Sequence, residues 1–100
     1  MAWNTVDAAV SLGDHVWFFR GDQAAKYRTS DDYVVHGDIV KFWPALDGHP
    51  EFLKHIDAAT NVGDHVWFFS GEKTTAVSAD GQTFIKSGTI LDLWPGLNNL

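Results

Sequence analysis

The chain has 100 residues, a formal net charge of −6, no cysteine and 14% aromatic residues; that length makes one small domain, and the aromatics supply a dense core rather than a disordered segment. The acidic balance, with no cluster of Lys and Arg, excludes nucleic acid and anionic membrane as partners and leaves cations as the expected small ones. Without cysteine there is no disulfide framework, thiolate metal site or Cys nucleophile.

In chain order, the opening Met-Ala-Trp-Asn lacks a basic segment ahead of an apolar run, and no apolar stretch reaches the length of a membrane span. A soluble chain is expected, with the cytoplasm favoured, although a mature or engineered chain with an added Met1 would read the same way. Strands are predicted near 6–10, 15–19, 24–28 and 33–36, punctuated by Ser11-Leu12-Gly13-Asp14, by Gly21-Asp22 and by Thr29-Ser30-Asp31-Asp32. They make a four-stranded antiparallel meander. Asp38 then stands where an N-cap should, Ile39, Phe42 and Trp43 follow at i, i+3, i+4, and Pro44 stops the helix.

The same unit then comes again. GDHVWFF occurs at 13–19 and at 63–69, Val6-Asp7-Ala8-Ala9 aligns with Ile56-Asp57-Ala58-Ala59, and Gly21-Asp22 aligns with Gly71-Glu72. Beyond a one-residue slip, expected near the turn-type Asp80-Gly81, Gly37-Asp38-Ile39 matches Gly88-Thr89-Ile90, and Phe42-Trp43-Pro44-Ala45-Leu46 matches Leu93-Trp94-Pro95-Gly96-Leu97. The organisation is therefore two units, 1–50 and 51–100, joined by residues 47–54.

In each unit the second strand, Val-Trp-Phe-Phe, puts large apolar groups on both faces of its sheet, so both faces must be covered. Identical small meanders stacked face to face are the blades of a β-propeller. Arg20-Gly21-Asp22 matches the cell-adhesion tripeptide, but the second unit fills the same turn with Ser70-Gly71-Glu72, so the repeat explains Gly21 and Asp22 as turn residues. His15 and His65 are equivalent and could form a ring of metal or heme ligands on repetition, or be plain surface histidines. His36, His49 and His55 show no ligand spacing and read as solvated polar groups.

Asp-Ala-Ala-Val, then Val-Trp-Phe-Phe-Arg-Gly-Asp-Gln, then Lys-Tyr-Arg, then Ile-Val-Lys-Phe-Trp-Pro-Ala-Leu resembles the hemopexin repeat over nearly all of both units. The resemblance implies an all-β four-bladed propeller, one repeat per blade, with the Asp-Ala-Ala strand innermost. It also implies calcium, sodium and chloride ions in the central tunnel, held by main-chain carbonyls of that strand. The chain departs from the family in three ways. Ala24-Ala25 and Thr74-Thr75 stand where Tyr-Trp or Tyr-Ala is usual, the disulfide that ties first blade to last cannot form, and there are two repeats instead of four.

Two blades cannot close a ring, and each would leave an aromatic face in water. The expected remedy is a homodimer in which blade 1 of each copy packs on blade 2 of the other, the alternative being a piece cut from a longer array. In that ring Asp7 and Asp57 would bring carbonyls, with help from their carboxylates, to one axis, and Ala9 and Ala59 would supply a second ring of oxygens; calcium and sodium favour such donors. Asp at these points could instead only cap a turn. The recurring Trp17, Trp67, Trp43 and Trp94 read as core, while Trp3, outside the repeat, covers the core or stacks on a ligand.

No serine has a matched His and carboxylate, and no glycine-rich loop precedes a helix, so an enzyme is not expected. The resemblance implies a binding protein whose ligand is heme, a polyamine or a glycan, taken at the tunnel mouth or in the blade grooves. The alternative is a protein-interaction scaffold, or an engineered half propeller, in which the ions are only structural.

Overall fold

A computed structural model describes residues 2–100. Two four-stranded antiparallel sheets follow one another, β1 (Ala8–Leu12), β2 (His15–Arg20), β3 (Gln23–Arg28) and β4 (Tyr33–Asp38) in the first, and β5 (Ala58–Val62), β6 (His65–Ser70), β7 (Lys73–Ser78) and β8 (Phe84–Thr89) in the second. Both are meanders, as the repeat requires. The first strand of each begins two residues later than the hydrophobic pattern suggests, because Asp7 and Asp57 belong to the entry into the strand: each carboxylate accepts from the backbone N–H of a glycine in the turn after β2 or β6.

Short helices close each unit: α1 (Ile39–Phe42) and α3 (Ile90–Leu93), each followed by a 3-10 turn that starts at Pro44 or Pro95. The first N–H of each helix donates to the carbonyl of Asp22 or Glu72, so the Gly-Asp turn also anchors the helix start. The expected caps differ. Thr89 Oγ1 accepts from Asp92 N at 3.2 Å, whereas the Asp38 carboxylate is drawn away to Gln23 Nε2, at 2.5 Å, and caps nothing.

One detail corrects the sequence reading and another adds to it. The one-residue slip does not fall in the Asp80-Gly81 turn; Val77 pairs with Phe84 and Ala76 with Lys86, so Ile85 is the extra residue, absorbed as a β-bulge within β8. The joining segment 47–54 has structure of its own. It holds α2 (Pro50–Lys54), started by Pro50, whose Phe52 is fully buried. The boundary expected at residue 50 thus falls where α2 begins, and one continuous core spans both sheets.

That core is a blade-on-blade interface. Along β2, Trp17 and Phe19 face the second blade with Ala8 and Val10 beside them, and Trp43 folds over Trp17, ring centroids 5.1 Å apart. From the second blade, Val66, Phe68 and Val77 point back, and Phe68 meets Phe19 and Trp43 edge to face. Burying aromatic groups of this size contributes roughly 1.5–3 kcal/mol each. Thr74 and Thr75 are buried and satisfied: their hydroxyls donate to the carbonyls of Phe68 and Lys86 at 3.0 Å.

Candidate functional site

The innermost strands, β1 and β5, run side by side without sharing a hydrogen-bonded ladder. This is the arrangement that two neighbouring blades give at a propeller axis, and it fixes where each expected site residue lies. Asp7 and Asp57 sit together at one end of the strand pair. Asp7 Oδ2 accepts from Gly21 N at 2.8 Å and Asp57 Oδ2 from Gly71 N at 2.6 Å, and both glycines have φ +57°, a left-handed conformation that favours glycine.

Between the two aspartates stands His55. Its Nε2 lies 2.6 Å from Asp57 Oδ1 and its Nδ1 lies 3.4 Å from Asp7 Oδ2, so one imidazole spans the carboxylates of two blades. Sequence spacing alone gave His55 no role, because the partners are distant in the chain and meet only when the blades stack. The signal that could have found it is its place two residues before Asp57, where the first unit has Thr5. Three carboxylate oxygens, Asp7 Oδ2 and both of Asp57, are thus already engaged, and among the described residues no group of three or more His, Asp or Glu side chains is gathered so as to hold a metal ion. Main-chain carbonyls along the free edges of β1 and β5 are oxygen donors of the hard type that suits calcium and sodium. Ala9 is exposed and Ala59 half-buried, both on the innermost strands.

His15 and His65 lie at the opposite end, each just after the tight turn that leaves the innermost strand. Each is paired with the aspartate before it: His15 Nδ1 is 2.7 Å from Asp14 Oδ1, and His65 Nε2 is 3.4 Å from Asp64 Oδ1. Both ends of the strand pair therefore carry His and Asp together. Trp3 is not with them. It lines a groove of about 480 Å³ on the outer face of the first blade, with Val6, Phe18, Ala25, Tyr27, Val34 and His36.

The turn at Arg20-Gly21-Asp22 is explained by the same geometry. Gly21 supplies the positive φ and the N–H held by Asp7, while the Asp22 carbonyl accepts from Ile39 N. At the far turn of blade 1, Arg28 Nε and Nη2 reach Asp31 at 2.9 and 2.8 Å, and the guanidinium holds the Asp31 carboxyl below its ordinary value. Tyr27 donates to Asp32 Oδ1 at 2.6 Å, and that carboxylate raises the phenol. No helix among the described residues is long and apolar enough to cross a membrane.

The Hemopexin family model matches residues 6–48, which span the first blade. Among solved structures the chain is similar to a plant albumin from Cicer arietinum showing hemagglutination, at 23% identity and TM-score 0.83, covering 97% of this chain and 47% of that one. It is similar to the hemopexin fold protein CP4 from cow pea, at 23% identity and TM-score 0.81 over 96% of this chain and 47% of that one. It is also similar to a plant lectin with two metal binding sites from Cicer arietinum, at 24% identity and TM-score 0.82 over 97% and 47%. The chain spans about half the length of these structures, and no curated protein matches it. The first unit matches the Hemopexin family model, and the two units together have the fold of half a hemopexin-type propeller.

Proposed function

We propose that this hemopexin-type pair of blades is a non-enzymatic binding protein that closes a four-bladed ring with a second copy of itself and holds a cation, calcium or sodium, on the ring axis. The single observation that supports this reading is that β1 and β5 lie side by side, which sets Asp7 and Asp57 next to each other at one end of the innermost strands. A second copy would double that set, and main-chain carbonyls of the four inner strands would then surround the axis. Chloride on the same axis belongs to the reading as a further ion.

The ligand class that the charge favours is a polyamine or another small polycation, taken at a tunnel mouth. The chain carries −6, and the rims are built from Asp7, Asp57, Asp14 and Asp64. Heme is less suited to the same rims, since His15 and His65 already face aspartates. A glycan is the reading that the hemagglutinating albumin and the plant lectin support, through likeness of fold only.

The test is a calorimetric titration of the metal-stripped protein with calcium, followed by spermine, hemin and simple sugars. Calcium binding at one site per pair of chains, with a rise in melting midpoint, is expected from binding to the native state alone. The absence of any heat and any shift with calcium and sodium would remove the axial cation from the reading.

A further inference from the structure

The repeat allows every position in one blade to be compared with its twin in the other, and the comparison separates two free faces. On the side of blade 1 that turns away from blade 2, Val6 is 48% exposed, whereas its twin Ile56 is 0% exposed at the interface between the blades. Phe18 and Val16 are half-buried where Phe68 and Val66 are buried. On the side of blade 2 that turns away from blade 1, Leu97 is 45% exposed where Leu46 is 0%. Trp94, Phe69 and Ile90 are half-buried where Trp43, Phe19 and Ile39 are buried. Each free face thus repeats one half of an interface that the molecule already makes.

The two faces are also built alike inside. Trp94 folds over Trp67 with centroids 5.0 Å apart, as Trp43 folds over Trp17 at 5.1 Å. Within the chain, that Trp43 edge and Phe19 receive Phe68, at 5.1 and 5.4 Å. The groove on blade 1 presents Phe18, the twin of Phe68, on its floor, with Tyr27 and Val34 beside it and Trp3, the twin of Leu53, on its rim.

Resting on the ring reading above, we propose that the ring closes head to tail: the groove on blade 1, floored by Phe18, Tyr27 and Val34, receives Trp94, Phe69 and Leu97 of a second copy. Two such junctions form in one dimer, and each repeats the chemistry of the junction inside the chain. A pairing of like faces, groove on groove, would set Phe18 against Phe18 and leave both Trp94 surfaces in water, an arrangement for which the chain contains no precedent. Trp3 is then an interface residue, and its distance from His15 and His65 is accounted for.

The test uses two exposed positions, Val34→Lys on the groove and Leu97→Asp on the opposite face; each native side chain is 45% exposed, so neither change removes a core contact. Burying one unpaired charge at each junction is expected to weaken association by about 100-fold or more. Each variant alone should be a folded monomer by circular dichroism and light scattering. Their mixture should return a 1:1 dimer, because one junction is then native and the other brings Lys and Asp together. A dimer that survives either single substitution, or monomeric variants that fail to recombine, would overturn head-to-tail closure while leaving the dimer itself standing. A native chain that stays monomeric at millimolar concentration would instead remove the ring reading. If Val34→Lys lowers the folded signal, Val6→Lys supplies the groove-side charge in its place.

Discussion

Phe19 and Phe68 meet edge to face across the two blades, with ring centroids 5.4 Å apart and both side chains fully buried. Phe18 is the twin of Phe68, one blade earlier, and its outer side has only the groove in front of it. The two phenylalanines should therefore respond differently to truncation. Phe68→Ala is expected to destabilise the chain by about 3–5 kcal/mol at any concentration, as loss of a buried aromatic does. Phe18→Ala should cost clearly less in dilute solution, and its cost should rise with concentration as the groove fills. Urea melts at two protein concentrations check this.

Gly21 and Gly71 hold φ +57° in open space, with nothing within 4 Å of where a Cβ would stand. The expected penalty is therefore that of the backbone alone. Gly21→Ala and Gly71→Ala should each destabilise by about 1–2 kcal/mol, and by similar amounts, since the twins share the same turn. Asp7→Asn, which weakens the bond that holds the Gly21 N–H, should act in the same direction. Chemical denaturation measures all three.

His55 occupies the carboxylate oxygens of Asp57 and Asp7 that a cation on the axis would also draw on. Replacing it frees them. His55→Ala is expected to enlarge the rise in melting midpoint that calcium produces, while lowering the midpoint of the metal-free chain by a small amount, because exposed ion pairs are worth about 0–1 kcal/mol. Differential scanning calorimetry with calcium and with chelator reads both effects; a calcium shift that shrinks would show that the imidazole supports the cation rather than competing with it.

The Arg28–Asp31 pair carries a pH signature. The Arg28 hydrogen bond holds the folded Asp31 carboxyl below its ordinary value, so the pair adds stability above the unfolded carboxylate value and loses it as pH falls through the lower, folded one. Both side chains are exposed, so the effect is small. Asp31→Asn should lower the melting midpoint slightly at about pH 6 and make no difference at about pH 2, as paired thermal melts would show.

Much of this was legible in the chain because the repeat doubles every signal. Val-Trp-Phe-Phe on a meander demands cover on two faces, and Trp43-Pro44 with Trp94-Pro95 marks where each helix stops. What escaped the sequence depends on contacts between units. Phe52 carries no local signal because its burial comes from packing of α2 against β6 and the 3-10 turn at Pro44, and His55 looked solvated because Asp7 lies 48 positions away in the chain and the two meet only through stacking. Ile85 escaped for another reason: a bulge and a longer turn leave the same one-residue offset, and only the pairing of Ala76 with Lys86 distinguishes them. Asp38 matches the pattern of an N-cap, yet Gln23 from the neighbouring strand holds its carboxylate instead.

Closure of the ring by a second copy is tested most directly by the solution mass of the native chain, from light scattering on a sizing column across a range of concentrations. The closed ring requires a species at twice 11.1 kDa, strengthened by salt, which screens the repulsion between two acidic chains. A species that stays at 11.1 kDa at every concentration, with the groove on blade 1 still open to solvent, would contradict the ring and the axial cation together.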